Sequence, residues 1–177
     1  MSTEIGTILR AKRVVRTTRL QFTFEIDATG PVNEELDSLE IDDADTAAAV
    51  AWACFGSLGC SFTQENFGAL YLNARGHMVG FGLVCVGTLT ACLIHPREVF
   101  APALELRAAT LMLAHNHPSG DHTPSPEDVA ITVRMIEAGK IIGVPVVDHV
   151  VIDGFGGFSS IAFQRAISRV VEDRRVL

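Results

Sequence analysis

The sequence lacks several features that would have placed it quickly. Its 4 cysteines contain no Cys-x-x-Cys pair, and Cys85 and Cys92 sit in apolar runs, where a free thiol behaves as a small hydrophobe. Buried, reduced cysteines are therefore expected, the usual state in the cytoplasm. The N-terminal stretch Met1 to Arg10 has no basic start followed by a long apolar segment, which a secretory signal needs. The longest apolar region, Val79 to Ile94, is interrupted by glycines, Thr88 and Thr90, and falls short of the ~20 residues that span a bilayer. A cytoplasmic protein with no membrane contact is the expectation. Residues 20–60 contain no lysine or arginine at all, and there is neither an internal repeat nor a low-complexity linker.

What remains is a chain of 177 residues, 48% hydrophobic and 20% charged, enough apolar material for one compact domain and too much for global disorder. The formal net charge of -7 is unevenly spread. Residues 1–19 hold five basic side chains against one acidic, residues 20–60 hold nine acidic ones, and the rest is nearly balanced. The basic run from Arg10 to Arg19 leaves room for a weak nucleic-acid contact through residues 10–19, beside its plainer reading as a solvated strand.

Leu20 to Ile26 alternates apolar and polar residues and predicts a strand. Gly30-Pro31 marks a turn. Asp43 or Asp45 can cap a helix built on Ala47 to Phe55. Asn66 to Leu72, a turn at Asn73 to Gly76, and His77 to Val86 read as a hairpin, with Gly87 to Ile94 continuing the sheet. A helix opens at His95-Pro96 and is predicted to run to about Ala109. Leu111 to His115 is a strand, Pro126 to about Ala138 a helix, and Val144 to Ile152 a final buried strand. Alternating strands and helices give an α/β domain.

Three of the 6 histidines lie between residues 115 and 122. On a strand, His115 and His117 share a face because side chains alternate with period two. Pro118, Gly120 and Pro124 turn the chain, and Ser125-Pro126 starts a helix with serine as N-cap and proline in the first position. Asp128, at the third helical position, points back toward the cap. Two nitrogens and one oxygen can meet around zinc and leave a fourth position for water. The alternative for Asp128 is a capping box with Ser125. His122 reads as a surface turn residue and His149 as a structural core histidine. A hydrolase of this kind also needs a base, and the sequence offers Glu65, Glu98 and Glu105 without choosing among them.

The run His115-x-His117, seven residues, Ser125, two residues, Asp128 resembles the JAMM signature of MPN-domain metalloproteases. His115-Asn-His-Pro-Ser-Gly-Asp121 with Thr123-Pro-Ser125, together with Gly87-Thr-Leu, His95-Pro-Arg-Glu98 and Asp148-His149, is similar to the bacterial RadC branch. The resemblance covers roughly residues 40–162. It implies a curved mixed sheet flanked by helices, with residues 1–38 as a strand-containing extension, 39–162 as the RadC-like domain and 163–177 as a tail. It also implies His115, His117 and Asp128 as zinc ligands, Ser125 as the group that helps hold a tetrahedral intermediate, and Glu65 as general acid and base. The implied activity is zinc-dependent cleavage of an amide, peptide or isopeptide bond in a peptide or protein. The alternative is a DNA-associated accessory protein whose metal site does no peptidolysis. Residues 1–38 are too short and strand-like for the helix-hairpin-helix region that RadC proteins often carry. A nucleobase deaminase is disfavoured, since neither His-x-Glu nor Pro-Cys-x-x-Cys occurs.

Overall fold

In the computed structural model of the chain, the described residues are 15–17, 20–22, 40–87 and 94–161. Most of the basic run, the start of the acidic run, the greater part of the segment 87–94 and the tail 163–177 lie outside them. Two short strands, β1 (Val15–Thr17) and β2 (Leu20–Phe22), pair antiparallel. Then follow α1 (Ala44–Ser57), β3 (Asn66–Leu72), β4 (Met78–Val86), α2 (Pro96–Glu105), β5 (Thr110–Asn116), α3 (Pro126–Ile142), β6 (Val146–Ile152) and β7 (Phe158–Ser160). The last five strands form one mixed sheet in the order β4-β3-β5-β6-β7. Only β5 and β6 run parallel, and α3 is the crossover between them. The α/β class predicted from the alternation of strands and helices is thus observed, and so is the mixed sheet flanked by helices that the family resemblance implied.

The period of two sorts the strands between two cores. Leu70, Leu72, Met112, Ala114, Val150 and Ile152 face α1, whose Ala47, Ala51 and Phe55 cover them. Phe67, Ala69, Tyr71, Leu111 and Leu113 face the other way, onto Val99, Phe100 and Ala103 of α2 and Met135 of α3. Helix α1 starts where Asp43 accepts a 2.7 Å hydrogen bond from the Thr46 amide, so the cap is Asp43 and not Asp45. Helix α2 stops at Glu105, short of the predicted Ala109, because Leu106 caps it and Arg107 takes the left-handed conformation (φ 53°) that swings the chain into β5. Helix α3 outruns its predicted end by one turn, to Gly143, which terminates it at φ 84°. Strand β7 was not predicted; its three residues are too few and too polar to show a period. Cys54 and Cys60 are free, as expected. Cys85, half-buried near the end of the edge strand β4, is disulfide-bonded, which corrects the expectation of free thiols throughout. No helix among the described residues is long and apolar enough to cross a membrane.

Gly139 shows how closely α3 is seated. A Cβ there would stand 2.6 Å from the Val144 carbonyl oxygen and 3.3 Å from the Phe100 ring. Glycine to alanine inside a helix ordinarily gains about 0.5–1 kcal/mol; here the backbone clash outweighs that gain. Gly139→Ala is expected to destabilise the protein by about 1–3 kcal/mol, read as a lower urea midpoint with an unchanged slope.

Candidate metal centre

Strand β5 delivers the first histidine. Its odd-numbered residues face α2 and α3, so His115 points at the start of α3 and is fully buried there. His117 lies just past the strand end but keeps the pairing, its amide donating to the Ile152 carbonyl at 2.9 Å. The chain then turns through Gly120 (φ 81°) and is tied by the Thr123 amide donating to Asp121 at 2.9 Å. This turn returns Ser125 to the head of α3.

Both readings of Asp128 hold at once. Its amide donates to Ser125 Oγ at 3.2 Å and its Oδ2 accepts from the Ser125 amide at 2.7 Å, a complete capping box. The same carboxylate meets the histidines, with Oδ1 at 3.1 Å from His115 Nε2 and Oδ2 at 3.3 Å from His117 Nε2. The two Nε2 atoms are 3.0 Å apart. Two ligand atoms of tetrahedral zinc with bonds of about 2.0–2.1 Å lie roughly 3.3 Å from each other, close to the separation of the two imidazole nitrogens and to that of each nitrogen from its nearer Asp128 oxygen.

The proton inventory favours a cation at their centre. His117 Nδ1 lies 2.6 Å from the Asp121 carbonyl, which can only accept, so in the neutral ring Nδ1 carries the proton and Nε2 is bare. Asp128 Oδ1 is buried and receives no hydrogen bond despite its closeness to His115. Lone pairs of His117 and Asp128 crowded in this way repel unless a proton or a metal sits among them. Burial works against the charged form of Asp128, but the two imidazoles outweigh it and hold its carboxyl far below the usual range. The Asp128 carboxylate, able to accept a hydrogen bond from His117 once that ring is protonated, chiefly raises the His117 pKa, against partial burial. The residues present therefore fit a divalent metal of zinc type.

Glu65 stands beside this group. Its carboxylate lies within 4.8 Å of the ligating nitrogens of His115 and His117, with which it forms a cluster able to hold a metal. Glu98 is at the exposed head of α2, paired with Arg97 at 3.1 Å, and Glu105 is exposed at its end; neither approaches the histidines in this way. Glu65 and His117 also line an open cleft with Thr63, Gln64, Pro118 and Ser119. His122 is not simply a surface residue: it is half-buried and bonded to Ser159 at 2.7 Å, outside the metal group.

Two supports lie behind the site: Asn116, which the sequence reading does not single out, and His149, which it reads as a structural core histidine without assigning it a partner. Asn116 points to the opposite face from the histidines and accepts from the amide and the side chain of Asn66 at 2.9 and 2.7 Å, while its own amide donates to the Gln64 carbonyl at 2.9 Å. This buried pair ties the loop carrying Glu65 to the strand carrying His115. A polar residue at a core-facing strand position was the available signal. His149 is buried against His115, Nε2 to Nδ1 at 2.8 Å, and burial together with the His115 charge holds its pKa well below the ordinary value.

The model of the RadC-like JAB domain matches residues 42–166. The chain belongs to the RadC-like JAB family. Its site lies in that matched region, and membership makes it a domain of metallohydrolase type. It is similar to UPF0758 proteins of Shouchella clausii (46% identical over 98 residues, 55% of this chain and 42% of that protein), Moorella thermoacetica (49% over 98 residues, with the same shares) and Symbiobacterium thermophilum (51% over 96 residues, 54% and 41%). The chain thus spans less than half the length of these curated relatives.

A metal that binds this site would stabilise the folded state by about 2.7 kcal/mol when free metal is 100 times its Kd. Adding zinc to metal-stripped protein is expected to raise its Tm, and His117→Ala to abolish that rise. A wild-type Tm indifferent to zinc would remove the metal assignment.

Proposed function

We propose that the domain is a zinc-dependent hydrolase of amide bonds, acting on a peptide or isopeptide bond of a peptide or protein. The observation that carries this reading is the convergence of two imidazole nitrogens, 3.0 Å apart, on the Asp128 carboxylate, whose oxygens lie 3.1 and 3.3 Å from them, beside a glutamate at the wall of a cleft. His115, His117 and Asp128 would hold the metal. Zinc bound there would supply a water with a pKa lowered to about 7 and a Lewis acid for the substrate carbonyl.

The remaining chemistry falls to Glu65 and Ser125. Glu65, half-buried and open to the cleft, accepts a proton as water oxygen bonds to the carbonyl carbon. It returns that proton to the amide nitrogen as the C–N bond breaks, leaving a carboxylic acid and an amine. Ser125 Oγ uses a lone pair to cap α3, which leaves its hydroxyl proton to be donated to the carbonyl oxygen as negative charge develops.

The test is hydrolysis of peptide and isopeptide libraries by zinc-replete protein, beside Glu65→Gln. That variant is expected to bind zinc as the wild type does and to lose about 10²- to 10⁴-fold in kcat. Ser125→Ala should retain zinc and lose up to about 10²- to 10³-fold. Full activity of Glu65→Gln would remove the base assignment, and salt-sensitive DNA binding with no amide hydrolysis would favour the accessory-protein reading instead.

A further inference from the structure

We propose that Thr132 and His149 are positioning residues that fix the tautomer of His115, so that its Nε2 is bare and available to a metal. This rests on the metal reading above, and it assigns roles to two side chains that do not touch the metal position.

The chain of hydrogen bonds has one direction. Thr132, one turn beyond Asp128 on the buried face of α3, donates its hydroxyl proton to the Asp128 carbonyl at 2.6 Å. A carbonyl cannot donate, so the single hydroxyl proton is committed there. Thr132 Oγ1 is also 2.5 Å from His149 Nδ1 and can meet it only as an acceptor, which places the His149 proton on Nδ1. The Nε2 of neutral His149 is then bare. It lies 2.8 Å from His115 Nδ1 and accepts the proton that His115 carries there. Neutral His115 has no second proton, so its Nε2, facing His117 and Asp128 at 3.0 and 3.1 Å, offers a lone pair. Thr132, His149 and His115 are all fully buried, so no bulk water competes for these bonds. The carbonyl that anchors the chain belongs to Asp128 itself, so one residue supplies a carboxylate to the site and sets the ring orientation of its neighbour.

Long-range ¹H–¹⁵N correlation on the metal-free wild type is expected to show both His115 and His149 protonated at Nδ1. In Thr132→Val, nearly isosteric but without the hydroxyl, His149 can carry its proton on Nε2, which drives the His115 proton onto its own Nε2. Zinc Kd is then expected to rise about 10- to 100-fold, and Thr132→Ser, which keeps the hydroxyl, to restore it to within a few-fold. A wild-type His149 protonated on Nε2, or a zinc Kd in folded Thr132→Val equal to that of the wild type, would overturn the inference while leaving the metal site intact. Absence of zinc binding in the wild type would overturn the metal reading and this inference with it.

Discussion

The carboxylate of Asp128 is bound by two constraints that the rest of the site inherits. At the head of α3 it accepts from the Ser125 amide, as an acid at the third helical position does, and the positive end of the helix favours its charge. Facing outward, it meets the imidazoles of His115 and His117. The capping box therefore fixes more than the helix start: a slip of one residue would turn the carboxylate about 100° away from β5. The crossover from β5 through α3 to the parallel strand β6 sets the head of the helix over the carboxyl end of β5, the place where open α/β sheets bring polar side chains together.

The two faces of β5 do different work at that same end. Facing α3, His115 and His117 converge; facing α1, Asn116 binds Asn66 and the backbone of residue 64. Both faces are dry, and a buried polar group is tolerated only when its bonds are made. On the asparagine side most of them are made within the protein, with Asn66 Oδ1 left unmatched. On the histidine side the unmet atom is Asp128 Oδ1, at the centre of a group whose remaining valences all point inward. A lone unmatched amide oxygen is a modest cost, whereas a buried anion facing two lone pairs calls for positive charge.

His-x-His and the serine-capped helix were legible because each follows from a local period or cap, and local rules survive in any fold that keeps the element. Glu65 was not chosen by such rules. It reaches the histidines because β3 pairs antiparallel with β5 in a register that sets Phe67 opposite His115, and a register between segments nearly fifty residues apart is settled by core packing on both faces. The family resemblance singled out Glu65 where periodicity could not. His149 was read as a structural histidine; it is buried as that implies, and its partner is the ring of His115. The end of α2 differed because Arg107 takes a left-handed conformation that no local rule announces, whereas Gly143 is a helix stop of the ordinary glycine kind that the predicted end fell short of.

Burial across the site falls steeply in one direction, and this bears on which carboxylate handles protons in the proposed reaction. His115 and Asp128 are sealed at 0% exposure, and the His117 side chain retains 14%. Glu65 is half-buried on the cleft wall. A proton acceptor must reload from solvent or substrate on every turnover, which a sealed carboxylate held by a helix cap and two imidazoles cannot do; its depressed pKa also makes it a poor base. Asp128 is suited to hold charge and Glu65 to move it. In the proposed reaction the same gradient would set the approach of substrate: α3 and the β6 histidine close one side, and the open cleft is lined by Glu65 from the loop before β3 and His117 from the turn after β5.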